Sequence, residues 1–353
     1  MSSYSSVVNL FLELVQIDSP TGEEEEISAW ISSWLKNIGL KPNRDGYNNV
    51  FVKTVGVGDP IFLNAHIDTV EPGKEIKPMI KDGIITSDGS TILGADNKAS
   101  VACLLELLKM KNSNRRPLEV LFTTSEEQGN YGAIGFDRKK ITAKKGYVFD
   151  VFDTVGTVIT ASPFYARFNL SIRGSSAHAG YPEKSRPAIP VMLQLINKIE
   201  SLRRKDVLVN VGQINGGESR NTVIGQVELK GEVRSFYKPK FYKTIELLTN
   251  YFSERFSVKV DHEIVVENPG YFHDQEKVKF VQDKVGNILS EDVRVEESYG
   301  CSDANIFNDG QTDLVVFNLG TGVENPHTVN EEVSVENINK LSFLVKELSC
   351  SKD

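Results

Sequence analysis

Cysteine is scarce. Cys103, Cys301 and Cys350 are odd in number and scattered over 353 residues, which excludes a disulfide framework and a cysteine-built zinc site. Basic charge is also in short supply: 40 Lys and Arg face 48 Asp and Glu, a net charge of −8, with no basic block or stripe. Neither nucleic acid nor an anionic membrane is therefore expected as a partner. No apolar run approaches the roughly 18 to 20 residues of a membrane span. The Ser-rich start, Met1 to Asn9, lacks the basic region that opens a signal peptide. There is no Walker phosphate loop, no GxGxxG and no HExxH, and Gly300-Cys-Ser302-Asp303-Ala304 lacks the second glycine of a nucleophile elbow. What remains is ordinary globular composition, 40% hydrophobic and 25% charged, at a length suited to about two domains. The default expectation is cytoplasmic.

The first half alternates helices with short apolar strands. Thr21-Gly-Glu-Glu24 reads as a capping box ahead of a helix carrying Ile27, Trp30, Ile31, Trp34 and Leu35. Strands are expected at Val50–Thr54, Ile61–Ala65, Leu118–Thr123, Gly146–Phe149 and Val155–Thr160, with a helix from about Lys98 to Lys111. The same rhythm resumes late in the chain, with strands at Val293–Glu297 and Asp313–Phe317 and helices at Ala304–Phe307 and Val335–Leu348. This alternation implies a mainly parallel α/β sheet with helices on both faces. Between about Ala161 and Asn268 the pattern changes. Strand Phe164–Ile172, helix Pro187–Leu202, strands Val207–Ile214 and Val223–Val233, helix Pro239–Phe256 and strand Val258–Val266 form the β-α-β-β-α-β order of a ferredoxin-like α+β unit. The expected organisation is a discontinuous domain, 1–160 and 269–353, with an insertion at 161–268.

In open parallel sheets, ligands bind beyond the carboxyl ends of the strands. Here four apolar strands run into acids or histidines: Ile61–Ala65 into His66-Ile-Asp68, Leu118–Thr123 into Glu126-Glu127, Tyr147–Phe149 into Asp150, and Leu314–Phe317 through a glycine loop to His327. Asp96, in Gly94-Ala-Asp-Asn-Lys98, is a fifth. Alone, each is ordinarily a loop hydrogen bonder or surface charge; five at one sheet edge point to a common site. Two histidines with several carboxylates and no cysteine suit zinc or manganese in a hydrolytic role. A shared carboxylate would let two ions sit about 3.5 to 4 Å apart with a water between them. One of the adjacent glutamates would bind metal and the other take the water's proton. Asp68, two residues past His66, would fix its tautomer.

Asn64-Ala-His66-Ile-Asp68-Thr-Val, Gly94-Ala-Asp96-Asn-Lys98, Thr124-Ser-Glu126-Glu127-Gln-Gly129 and Asn325-Pro-His327-Thr together resemble the dizinc peptidase and aminoacylase family, most closely its peptidase T-like (tripeptide aminopeptidase-like) branch. Ser176-Ala-His178-Ala-Gly180, Asn215-Gly-Gly217 with Asn221, and Glu232-Val-Arg234-Ser agree with that branch. The resemblance implies that His66, Asp96 and Asp150 hold one zinc and Asp96, Glu127 and His327 the other, with manganese or cobalt as alternative metals. It makes Glu126 the general base and Asp68 the residue that orients His66, and it marks Asp96–Asn97 as a candidate cis bond. It also implies that the insertion is a lid that builds a homodimer, that His178 stabilises the oxyanion, and that Arg234 and Asn221 grip the substrate. Three positions depart from the usual pattern, all in lid or substrate regions: Ile224 for proline, Cys301 for glycine, and Arg186 for a small residue.

The expected function is cleavage of short peptides at a free N-terminus by metal-activated water. A carboxypeptidase or N-acyl-amino-acid deacylase on the same scaffold is one alternative. A catalytically inactive metal-binding dimeric scaffold is another.

Overall fold

The computed structural model describes residues 4–110 and 115–350. Two compact units divide the chain: residues 1–160, 272–298 and 302–353 form the first, and residues 161–271 with 299–301 the second.

At the centre of the first unit, four strands run parallel in the order Leu118–Thr123, Ile61–His66, Lys145–Val151, Val315–Gly320. Val50–Lys53 pairs antiparallel on the Leu118 side, and the strand beginning at Val158 pairs antiparallel on the Val315 side. Every residue of Ile61–His66 and of Leu118–Thr123 is buried. Such strands read as continuous apolar runs because both faces are covered. Helices Ser6–Val15, Ala95–Lys109 and Val335–Cys350 pack together with the sheet in one core that includes Phe11, Leu14, Leu104, Leu341 and Leu344. Since the four central strands are parallel, their carboxyl ends share one edge, and that is where the candidate side chains emerge.

The expected helix from Lys98 begins earlier, at Ala95. Its first turn is irregular, with Asp96 (φ −80°, ψ 103°) and Asn97 (φ −121°, ψ 26°) outside helical angles and a cis bond between them. Lys111, where that helix was expected to end, lies outside the described residues. The capping box at Thr21–Glu24 does not form. Helix Glu25–Asn37 has no side-chain cap; Thr21 Oγ1 instead donates to Asp68 Oδ2 at 2.9 Å, and the Glu24 carboxylate is drawn to the Ser125 turn. A capping box is found at Ser302 and Asn305, opening the short helix Asp303–Phe307.

In the second unit, four antiparallel strands lie in the order Leu208–Gly216, Gln226–Ser235, Phe164–Arg173, Lys259–Asn268. Helices Ile189–Ser201 and Lys238–Phe252 pack with them to form one core. Strand Phe164–Arg173 alternates buried with partly exposed residues, as a half-covered antiparallel strand should. The expected strand Val223–Val233 is split. Thr222–Val223 pairs with Ala177–His178 in a separate two-stranded ribbon, and the sheet strand starts at Gln226. Gly225 marks the break: a Cβ there would come within 2.4 Å of the Ser176 amide nitrogen. Among the described residues, no helix is long and apolar enough to cross a membrane.

The Phe168 ring is fully buried and meets Phe252 at 5.6 Å between centroids. Phe168→Ala is expected to cost about 3 to 5 kcal/mol, the usual penalty for emptying a buried phenylalanine site, read as a lowered midpoint in chemical denaturation.

Candidate metal centre

Asp96 places its two carboxylate oxygens against two different imidazoles. Oδ1 lies 3.2 Å from His66 Nε2 and Oδ2 lies 3.1 Å from His327 Nε2. Asp150 approaches His66 Nε2 at 3.6 Å, and Glu127 Oε1 approaches His327 Nε2 at 2.9 Å. The ligand atoms of His66, Asp96 and Asp150 lie within 4.8 Å of one another, as do those of Asp96, Glu127 and His327 and those of His66, Glu126 and Glu127. The edge-forming residues thus converge as two three-residue groups sharing Asp96, with Glu126 beside them.

Each side chain is placed by the strand or turn before it. His66 closes its strand and is 2% exposed. Its Nδ1 faces the Asp68 backbone oxygen at 3.1 Å and the Asp68 carboxylate at 3.4 Å. A proton on Nδ1 is therefore shared with Asp68, leaving the Nε2 lone pair for the site. The Asp68 carboxylate has a second task that the sequence did not reveal. It accepts the amide N–H groups of Glu126 (3.0 Å) and Glu127 (3.2 Å), fixing the turn that carries both glutamates. Asp150 sits in the strand Lys145–Val151, where its amide donates to Asn318 Oδ1.

The electrostatics follow from too many buried acids in one place. Burial disfavours charge on His66, yet Asp150, Asp68 and Asp96 together raise its pKa well above the ordinary value. Hydrogen bonds to Asp96 and Glu127 take His327 up to about 10. Burial would raise Asp96, but the two imidazoles hold it near 2. Burial pushes Asp150 up to about 7, and burial with the Asp150 charge lifts Glu126 well above the ordinary range. Five carboxylates (Asp68, Asp96, Glu126, Glu127 and Asp150) converge on two imidazoles. That donor set, oxygen and imidazole nitrogen without sulfur, fits a pair of divalent cations, whose charge would balance the excess of acid.

Residues 62–349 match the peptidase family M20/M25/M40. The chain belongs to that family. It is 33% identical over 354 residues to the uncharacterised protein YqjE of Bacillus subtilis (strain 168), covering 95% of each chain. It superposes with a TM-score of 0.88 on a structure described as a Staphylococcus aureus tripeptidase, at 30% identity over 97% of this chain and 96% of that one. A second structure, described as aminopeptidase PepT of Bacillus cereus, gives 0.83 at 34% identity over 97% of each. This M20 chain is a peptide-hydrolysing metallopeptidase with the mixed α/β fold expected of the resemblance.

Three expected substrate residues lie in the second unit. His178 is exposed, and its Nδ1 accepts the Gly180 amide at 3.0 Å. Asn221 accepts the Ala179 amide on its backbone oxygen and the Ser219 hydroxyl on its side chain. The Arg234 guanidinium lies over the Tyr165 ring and donates to Glu232 (3.0 Å) and to the Tyr299 backbone oxygen (2.5 Å).

Of two further buried acids, the sequence pattern assigns no role to Glu331 and marks Glu24 only as part of a helix cap. Glu331, 1% exposed, accepts the amides of Leu93 (2.8 Å), Gly94 (2.7 Å) and Asp96 (2.8 Å). Glu24, 4% exposed, accepts the amides of Gly22 and Ser125 and the Ser125 hydroxyl. Glu331 stands four residues after His327, beside the equally acidic Glu332, and only the loop geometry separates their roles. Asp68→Ala removes both an imidazole partner and the acceptor of two turn amides. It is expected to cost about 10- to 100-fold in metal affinity or activity, measured by competition with a chelator and by peptide turnover.

Proposed function

We propose that this M20 enzyme is an aminopeptidase acting on short peptides, of the peptidase T-like kind. The observation that carries the reading is the Asp96 carboxylate divided between two imidazoles, with the Glu126 carboxyl near one of them, that of His66. The similarity to structures described as a tripeptidase and as aminopeptidase PepT supports the choice of substrate class.

In this reading, His66, Asp96 and Asp150 hold one ion and Asp96, Glu127 and His327 the other, with zinc as the proposed metal and manganese or cobalt as alternatives. Paired divalent ions supply a Lewis acid for the scissile carbonyl and lower the pKa of a water. Glu126 takes the water's proton and returns it to the leaving amine, a role that suits a carboxyl whose pKa burial has raised. Asp68 keeps His66 oriented and holds the turn from which Glu126 and Glu127 diverge. His178 is proposed as the oxyanion donor, and Asn221 and Arg234 as substrate-binding residues. Arg234 would have to exchange part of its Glu232 pairing for a substrate carboxylate. We also propose a homodimer built through the second unit, where strand Leu208–Gly216 ends the sheet with Ile214 55% exposed, and a cytoplasmic setting, which suits three cysteines that form no disulfide among the described residues.

Ala-Ala-Ala assayed beside its N-acetyl form tests the direction of attack. Hydrolysis of the free peptide that is lost on acetylation is the expected result. Equal or faster turnover of the acetylated peptide would move the assignment to a carboxypeptidase or deacylase. Glu126→Gln keeps size and shape but cannot accept the proton. Its kcat should fall by about 10²- to 10⁴-fold while metal analysis still finds two ions per chain. A near-native rate would remove Glu126 as the base.

A further inference from the structure

The carboxylate of Glu126 is held from one side. Among the described residues, the side chain that hydrogen-bonds it is Asn130, whose Nδ2 lies 3.0 Å from Glu126 Oε1. The same nitrogen lies 3.0 Å from Asp303 Oδ1. A carboxamide nitrogen carries two hydrogens, and here both meet carboxylate oxygens. The amide orientation is thereby fixed, because a flipped amide would turn its oxygen toward two acids.

Asp303 is 1% exposed and Asn130 is also 1% exposed, so neither is a surface contact. The second oxygen of Asp303 accepts the Thr123 hydroxyl. Thr123 Oγ1 in turn accepts Asn64 Nδ2 at 3.0 Å. The chain of bonds therefore starts in the two central strands that end at His66 and Thr123, passes through Asp303 at the start of its short helix, and reaches Glu126 through one amide. Asn130 itself is placed by backbone: its N–H donates to the Glu126 backbone oxygen at 2.9 Å, and it sits at φ 60°, ψ 30°. Asparagine tolerates that left-handed conformation better than most side chains.

We infer that Asn130 and Asp303 are positioning residues for the proposed base: Asp303 orients the Asn130 amide, and the amide fixes Glu126 Oε1, so that Oε2 remains for proton transfer. The inference rests on the reading of Glu126 as the base. Neither residue touches the reacting atoms; both act through Glu126. A 1 Å error in the position of a catalytic group can cost about 100-fold in rate, so a single amide is enough to matter.

Asn130→Gly tests this with little backbone risk, since glycine accepts φ 60° freely. We expect kcat for Ala-Ala-Ala to fall by about 10- to 100-fold, with KM within about twofold and two metal ions per chain retained. Asp303→Leu should lower kcat in the same way, and the double variant should be no slower than the worse single, because the two residues act in series. Should Asp303→Leu fail to fold, Asn130→Gly together with Asn130→Asp, which sets a carboxylate against Glu126, decides the matter. Native kcat in Asn130→Gly, or a loss confined to KM or metal content, would overturn the proposal. The comparison with Glu126→Gln separates the two readings. If Glu126→Gln is inactive while Asn130→Gly is native, only the positioning role fails. If Glu126→Gln keeps its rate, the base assignment fails and the positioning role falls with it.

Discussion

One buried carboxylate, that of Asp96, faces two histidines brought from opposite ends of the chain, and the rest of the centre is arranged to keep it there. A carboxylate free to rotate would favour one imidazole over the other. Its backbone is therefore clamped. Glu331 takes three amides from the segment leading into Asp96, while Asn97 and Ser100 both donate to the Phe149 oxygen one residue before Asp150. Because Glu331 lies four residues after His327, one late loop delivers both the second imidazole and the clamp on the shared acid. The sheet joins at its centre what the insertion separates in sequence.

Burying several like charges is costly, and the fold meets that cost largely with main-chain dipoles. Asp68 receives two amides, Glu331 three, and Glu24 two together with a hydroxyl. These hydrogen bonds hold the supporting acids in place; burial still takes Glu331 up to about 7 despite its three amides, and it raises the inner acids Asp150 and Glu126 as well. The division is useful chemically. Supporting carboxylates are held by backbone and hydroxyl donors, and the carboxylates facing the centre keep lone pairs for cations or a proton.

The fold class and the edge residues were legible because each carries a repeating signal. Buried parallel strands are nearly continuous apolar runs, interrupted here by Asn64 and Glu119, and an acid or histidine soon after such a run is placed by geometry at the carboxyl edge. The inserted unit was legible in its element order, apart from the strand divided at Gly225, where close approach of Ser175 and Ser176 forces a break. The supporting residues were not legible. Thr21 and Glu24 have the spacing of a helix cap, yet tertiary contacts to Asp68 and Ser125 replace it. Asn130 and Glu331 sit in polar loops whose local sequence would serve equally well on a surface. Their partners lie 173 and 235 residues away, and no periodicity encodes a contact at that distance.

Adjacent glutamates would ordinarily point to similar surroundings, so the different environments of Glu126 and Glu127 need a cause. Ser125 supplies part of it. At φ 51° it bends the chain two residues past the end of strand Leu118–Thr123, and the Glu24 carboxylate holds both its amide and its hydroxyl in that bend. Asp68 then pins the two following amides with one oxygen each. With the backbone fixed at three successive residues, the two side chains leave the turn in different directions, Glu127 toward His327 and Glu126 toward Asn130. The proposed split between metal ligand and base therefore has its origin in a strained serine and two buried acids around it. Two chemically identical side chains acquire different work from the backbone beneath them.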